Sequence, residues 1–287
     1  MKTSIIRVYG IVQGVGFRPF VSRTCLNNSI RGTVSNKGSY VEIHAQGENV
    51  PVLLEALRKD PPKRSVILEV IRRYEEEDPY DTFEIIESER DTGEIFVSPD
   101  IAICEDCKKE LYTPTDRRYL HPFINCTNCG PRLTILNSMP YDRIRTSMGE
   151  FPMCPECRTE YTSPASRRYD AQPVCCNECG PEVYILNGME HRRDAIIAAR
   201  KTLIEGRIVA VKGIGGFHLA CDATNEEAVL KLRKRKSRPK KPFAVMMKDT
   251  ETLKHEVVLG ENTEEKLKII KGHQKPILPL GKNKDSK

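Results

Sequence analysis

The chain has 287 residues, with 46 Lys and Arg against 40 Asp and Glu, 11 Cys and no Trp. At ~100–200 residues per domain, that length suggests two or three domains. No apolar run approaches the ~18 residues that cross a bilayer, which excludes an integral helical membrane protein. The opening MKTSIIRVYG is interrupted by Arg7, which speaks against a secretory signal. Eleven cysteines are then expected as reduced, metal-binding thiols of a cytoplasmic protein rather than as a disulfide framework. The formal charge of +6 is local, because the segment 231–241, KLRKRKSRPKK, holds eight basic residues and no acidic one. Taking those eight from the 46 leaves 38 basic against 40 acidic.

Residues 1–90 form a first block. Strand-like runs at 4–9, 30–36, 40–45, 65–74 and 82–86 alternate with helical spacing at 19–26 and 50–58. The order βαββαβ predicts a ferredoxin-like α+β domain. Asn36-Lys37-Gly38-Ser39, between two alternating runs, predicts a hairpin turn. Between the first strand and first helix lies Gly10-Ile11-Val12-Gln13-Gly14-Val15-Gly16-Phe17-Arg18-Pro19. Closely spaced glycines let backbone N–H groups converge on an anion at a helix N-terminus, and Arg18 stands where its guanidinium could reach the same anion. A glycine turn with a solvated arginine is the plain alternative. RNA-recognition domains share the topology but need aromatics and basic glycines on the central strands, which the run 40–46, YVEIHAQ, lacks.

The second block is a tandem repeat with an offset of 50 residues. Cys104, Cys107, Cys126 and Cys129 recur as Cys154, Cys157, Cys176 and Cys179, and Glu110, Pro114, Arg117-Arg118-Tyr119 and Cys129-Gly130-Pro131 recur at the same offset. Two CxxC turns separated by eighteen residues can enclose one tetrahedral Zn²⁺, so two structural zinc ions are expected. The leading pairing is within each repeat, with pairing between repeats left open. Cys175 is an unmatched bystander or spare ligand, His121 a packing or polar contact, and Cys25 and Cys221 small buried residues. The expected zinc units span 98–138 and 148–188.

The third block, 191–287, alternates α and β signals. A helix is expected at 192–205 ending at Gly206, a strand at 207–212, and a capping box of Thr224 and Glu227 opening a helix to about 236. A strand at 243–247 and a helix at 263–271 follow. Within the basic segment, Lys236, Arg238 and Lys241 could turn into a nucleotide-phosphate pocket. A solvated helix end or a nucleic-acid tract are the alternatives.

The string 10–19, followed by Gly32-Thr33-Val34-Ser35-Asn36 and Gly47, resembles the acylphosphatase signature. The resemblance implies that Arg18 and the backbone of Gln13, Gly14, Val15, Gly16 and Phe17 bind a phosphoryl group, while Asn36 positions the attacking water. Lys212 to Thr224, followed by Arg235 to Met246, resembles the start of a YrdC-like nucleotide-binding domain. The order acylphosphatase, twin four-cysteine units (with N-C-T-x-C-G-P-R at 125–132 and A-Q-P at 171–173) and YrdC-like domain resembles the HypF family. These are carbamoyltransferases of nickel–iron hydrogenase maturation. The whole chain is thus an α+β multidomain protein. The resemblance implies hydrolysis of carbamoyl phosphate or another acyl phosphate, ATP-dependent activation of the carbamate, and transfer to the terminal cysteine of the partner HypE. It implies no membrane or nucleic-acid partner.

The pattern departs from the family in two ways. Asp170 stands where members often have His, and the YrdC-like domain is about half the family's length, with no further domain after it. A fragment or truncated product that retains acyl-phosphate hydrolysis and zinc binding, without complete carbamoyl transfer or assured ATP binding, is therefore expected. A non-enzymatic zinc-ribbon adaptor binding RNA or protein through 231–241 is the alternative from another class.

Overall fold

Alternation in the first block places one apolar face on each strand, and the computed structural model shows those faces meeting. It describes residues 1–88, 98–213, 215–272 and 274–286, and divides the chain into two compact units, Met1–Pro181 and Glu182–Lys287. The first unit opens with β1 (Lys2–Ile11), α1 (Phe17–Asn27), β2 (Arg31–Lys37), β3 (Tyr40–Gln46), α2 (Val50–Lys59), β4 (Val66–Glu76) and β5 (Phe83–Ile85). The sheet order is β4-β1-β3-β2-β5, antiparallel except where β5 lies parallel to β2. Register sets Ile6 opposite Ile43, Val8 opposite Val41 and Val34 opposite Ile43. These side chains therefore share a face, and Val21, Cys25, Leu53 and Leu57 of the two helices close over it in one buried core. The ferredoxin-like expectation is the fold observed.

A β-bulge between Tyr9 and Gly10 bends β1 just before the glycine loop. Gly10 has φ 130°, and a Cβ there would stand 2.0 Å from the Val66 carbonyl, so only glycine fits.

In the repeat, α3 (Glu105–Tyr112) and α4 (Pro155–Thr162) each start immediately after the first cysteine of their set and carry the second, Cys107 or Cys157, fully buried. Their apolar cores are small: Ile101 and Ile124 in one copy, Ala171 and Val174 in the other, packed on the cysteines themselves. So little apolar burial leaves much of the stabilisation to a bound metal.

The second unit contains α5 (Arg192–Ile204), β6 (Val209–Lys212), β7 (Phe217–Ala220), α6 (Glu226–Arg235), α7 (Thr250–Glu256), β8 (Val257–Val258), α8 (Thr263–Lys271) and β9 (Gly281–Lys282). Gly206 follows α5 at φ 71°, as a terminating glycine should. Three expectations are corrected. The cap of α6 is Asn225, whose Oδ1 accepts from Ala228 N at 3.0 Å, whereas Thr224 turns back to Asp222. Residues 243–247 form no strand: Pro242 lacks an N–H, and Phe243 lies beneath the Arg233 and Arg238 guanidiniums instead of facing a neighbouring strand. Cys221 is half-buried rather than buried. Among the described residues, no helix is long and apolar enough to cross a membrane.

Candidate functional site

The loop after β1 brings its glycines into the left-handed region, Gly14 at φ 70° and Gly16 at φ 77°, the second as the N-cap of α1. That curvature turns successive N–H groups to one side. Among the described residues, the N–H groups of Gly14, Val15 and Gly16 donate to no backbone carbonyl of the protein. A concavity of unpaired donors at a helix N-terminus is an anion cradle. Arg18, the second residue of α1, and Asn36, on β2, line the same pocket. Asn36 is 1% exposed, and its Oδ1 is buried without a hydrogen-bond partner among the described residues, an acceptor left open beside the pocket. Val15 and Phe17 point their side chains into the core, so they can contribute only backbone. The Gln13 side chain is occupied structurally, donating to Gly38 O at 2.9 Å and accepting from Tyr141 N at 3.3 Å.

The opposite wall comes from the repeat. Thr127, Arg132, Tyr141 and residues 170–173 line it, leaving about 20 Å³ of free volume, room for a single water. Arg132 is 2% exposed and donates to the carbonyls of Gly14, Pro131, Cys126 and Thr127, tying the glycine loop to the second CxxC pair of the first repeat. Arg18 is itself engaged from this wall. Its Nη1 lies 2.8 Å from Asp142 Oδ1 and its Nε 3.1 Å from Asp170 Oδ2, while Ser88 Oγ is 3.1 Å from Nη1. Burial alone would lower the Arg18 pKa, but Asp170 and Asp142 more than offset it and hold the guanidinium above its ordinary range. Burial raises the pKa of Asp170, partly against the attraction of Arg18, and the Asp142 charge adds to the rise.

The cysteines gather within repeats. Cys104, Cys107, Cys126 and Cys129 form one cluster and Cys154, Cys157, Cys176 and Cys179 the other, the four Sγ atoms of each within 4.8 Å of one another. Separations of 3.7 Å for Cys104–Cys126 and Cys126–Cys129, and of 3.9 and 3.8 Å for Cys154–Cys176 and Cys176–Cys179, match the ~3.8 Å edge of a tetrahedron with ~2.3 Å Zn–S bonds. The donor set therefore fits one closed, four-thiolate zinc site per repeat. Cys175 lies outside both sets, against His121 Nε2 at 3.2 Å; His121 also meets Asn177 at 3.1 Å, and burial lowers its pKa to about 4.

Each cluster is bracketed by arginines of the other repeat. Arg117 Nη2 lies 3.0 Å from Cys154 Sγ and 3.2 Å from Cys176 Sγ, and Arg167 Nη1 lies 3.1 Å from Cys107 Sγ. Arg118 forks onto Glu160 and reaches Cys175 O, while Arg168 pairs with Glu110 and reaches Asn125 O. The nucleotide candidates behave differently. Lys236 is exposed at the end of α6, and Arg238 donates to the carbonyls of Lys241 and Pro242, so the inward pocket expected from these residues is not formed by their side chains.

The first unit thus sets a ferredoxin-like, acylphosphatase-like domain with a glycine–arginine anion cradle against paired four-cysteine fingers. Family models agree: acylphosphatase matches residues 4–85, the HypF finger matches 103–136 and 153–186, and the Sua5/YciO/YrdC model, described as telomere recombination, matches 201–286. In the domains it carries and in their order, the chain is similar to proteins of the HypF family. It is 47% identical to a probable carbamoyltransferase HypF of Methanocaldococcus jannaschii over 98% of its own length and 37% of that protein, and 46% identical to carbamoyltransferase HypF2 of Cupriavidus necator over 96% and 35%. A crystal structure of full-length HypF in the phosphate- and nucleotide-bound form superposes with TM-score 0.88 at 44% identity, covering 98% of this chain and 37% of that one. The chain thus spans about a third of the length of the relatives it matches.

Three site features escape the acylphosphatase signature. Arg132 and Tyr141 lie outside it, although Arg132 closes the finger string at 125–132. Asp142 has no repeat partner of its own kind, since the corresponding position 192 is Arg. The doubled Arg-Arg-Tyr at 117–119 and 167–169 did carry a signal, because arginines repeated in step with cysteines point to a role at the clusters.

Proposed function

We propose that the chain hydrolyses an acyl phosphate, with carbamoyl phosphate as its substrate, at the loop 13–18. The N–H groups of residues 14–17 and the Arg18 guanidinium hold the phosphoryl oxygens, and Asn36 Oδ1 accepts a hydrogen bond from the attacking water. The new P–O bond forms to that water and the bond from phosphorus to the acyl oxygen breaks. The electron pair leaves with the carbamate, and the water proton passes to phosphate. An activated mixed anhydride needs positioning and charge neutralisation more than a covalent intermediate.

Two zinc ions, one per four-cysteine cluster, would hold the finger wall; with no open ligand position their role is structural. We read residues 1–90, 98–138, 148–188 and 191–287 as the domains. ATP-dependent carbamoyl transfer and the HypE acceptor belong to the whole relatives, and this chain would supply their first, hydrolytic step.

The observation that carries this reading is the unpartnered Asn36 Oδ1 facing the same small pocket as Arg18 and the glycine N–H groups. Arg18→Ala and Asn36→Ala should each lower kcat/KM for carbamoyl phosphate by ~10²-fold or more. Turnover unchanged in both overturns the reading.

A further inference from the structure

Each of the three Arg18 guanidinium nitrogens has a partner, and two of them meet carboxylates. Its Nε meets Asp170, its Nη1 meets Asp142 and Ser88, and its Nη2 lies 3.5 Å from Tyr141 O, in a pocket with room for one water. A phosphoryl dianion seated here must take the guanidinium over from these carboxylates.

The two carboxylates differ in what they can do next. Asp142 is 17% exposed and has a second cation at hand, Arg145 Nη1 at 3.3 Å from its other oxygen, so it can release Arg18 and remain paired. Asp170 has no such recourse. Its Oδ1 is fixed by Gln172 Nε2 at 2.8 Å and by the Tyr161 hydroxyl at 3.2 Å, and these hold the carboxylate in place. Its Oδ2 has Arg18 Nε. Once the phosphoryl group claims the guanidinium, that oxygen is left buried without its donor beside the substrate. An N–H of the substrate's acyl group is placed to satisfy such an oxygen.

On the reading that this site hydrolyses acyl phosphates, the geometry points to Asp170 as the residue that selects an acyl group bearing an amide –NH₂. Asp170 Oδ2 accepts one carbamoyl N–H as Arg18 turns to the phosphoryl group. Acetyl phosphate is the same size but presents a methyl group there, and so leaves the carboxylate unpaired. A site with a fixed hydrogen-bonding group discriminates strongly against an isostere that lacks its partner.

The test compares steady-state kcat/KM for carbamoyl phosphate and acetyl phosphate in the full chain, loaded with zinc, for the unsubstituted protein, Asp170→Ala, Asp170→Asn and Asp142→Asn. The unsubstituted protein should prefer carbamoyl phosphate. Asp170→Ala should lower the carbamoyl-to-acetyl ratio by ~10–100-fold, the worth of one charge-assisted hydrogen bond, with Asp170→Asn, which keeps an acceptor oxygen, in between. Asp142→Asn should move both substrates together and leave the ratio within about twofold. A zinc content of two per chain in the Asp170 variants shows that the finger wall is intact, and the ratio, being internal to each variant, is unaffected by any loss of folded protein. Three outcomes overturn the proposal. Both substrates falling equally in Asp170→Ala would make Asp170 a holder of Arg18 only, and both rising equally would make it a competing anion only. An unsubstituted protein that does not distinguish the two would remove the selectivity itself. Any of these leaves the acyl-phosphatase reading standing, whereas absence of turnover on both substrates overturns that reading and the selectivity with it.

Discussion

The arginine brackets make a prediction that crosses between repeats. Replacing Arg117, which belongs to the first copy, should weaken metal retention by the second. A Zn²⁺ held by four thiolates carries a net charge of −2, and Arg117 Nη2 brings a cation within 3.0 Å of Cys154 Sγ and 3.2 Å of Cys176 Sγ. Loss of an outer-shell partner of this kind lowers metal affinity ~10–100-fold, or about 1.4–2.7 kcal/mol. Arg117 is 31% exposed and Arg118 still reaches Cys157 Sγ at 3.4 Å, so the lower half of that range is expected. The assay is challenge with a competing chelator, followed by alkylation of released thiols and peptide mapping. In Arg117→Ala, the cysteines at 154, 157, 176 and 179 should become reactive first. In Arg167→Ala, the order should reverse in favour of 104, 107, 126 and 129, because Arg167 Nη1 lies 3.1 Å from Cys107 Sγ. Release of the first cluster in Arg117→Ala, or no change of order in either variant, would refute the crossed bracing.

Two further outcomes are expected. Leu53, fully buried in the sheet–helix core, should cost about 2–5 kcal/mol when changed to Ala, read as a lower urea midpoint of the first unit, with two zinc ions retained; an unshifted midpoint counts against this core. Protonated, His44 donates to Glu42 at 3.4 Å and Glu77 at 2.8 Å, beside Arg7 on Glu42 and the Tyr80 hydroxyl on Glu77, and its pKa is raised, first by the Glu42 hydrogen bond and then by Glu77 against the effect of burial. A raised folded-state pKa means stability fully present below the unfolded value of ~6.5 and lost as pH climbs through the folded one. The destabilisation caused by His44→Gln should therefore shrink between pH 6.5 and 8.5 in urea titrations, and a deficit independent of pH contradicts it.

The first block was legible because each strand shows its buried face by alternation and the helices show theirs by spacing; β1 to β5 and both helices fall where the pattern predicts them. The clusters were legible for a related reason, since CxxC spacing is itself the local geometry of two ligands on a turn. What could not be read was anything made by a long-range meeting. Asp142 and Asp170 reach Arg18 from 124 and 152 residues away, and neither carries a local signature of doing so. Likewise the repeat announced two copies, but identical copies cannot tell from sequence alone which arginine faces which cluster. The failed strand at 243–247 shows the converse. The run there is apolar throughout, yet a strand also needs a partner edge, and two prolines with two stacked arginines removed the chance of one.

The pocket has two walls of separate origin. One is the glycine loop with Arg18 and Asn36; the other is built from residues 127 to 173. The walls are nonetheless tied, since Asp142 and Asp170 pair with Arg18 and Arg132 holds the Gly14 carbonyl. A change at Asp170 is therefore felt at Arg18, and neither wall is free to vary without an answering change in the other.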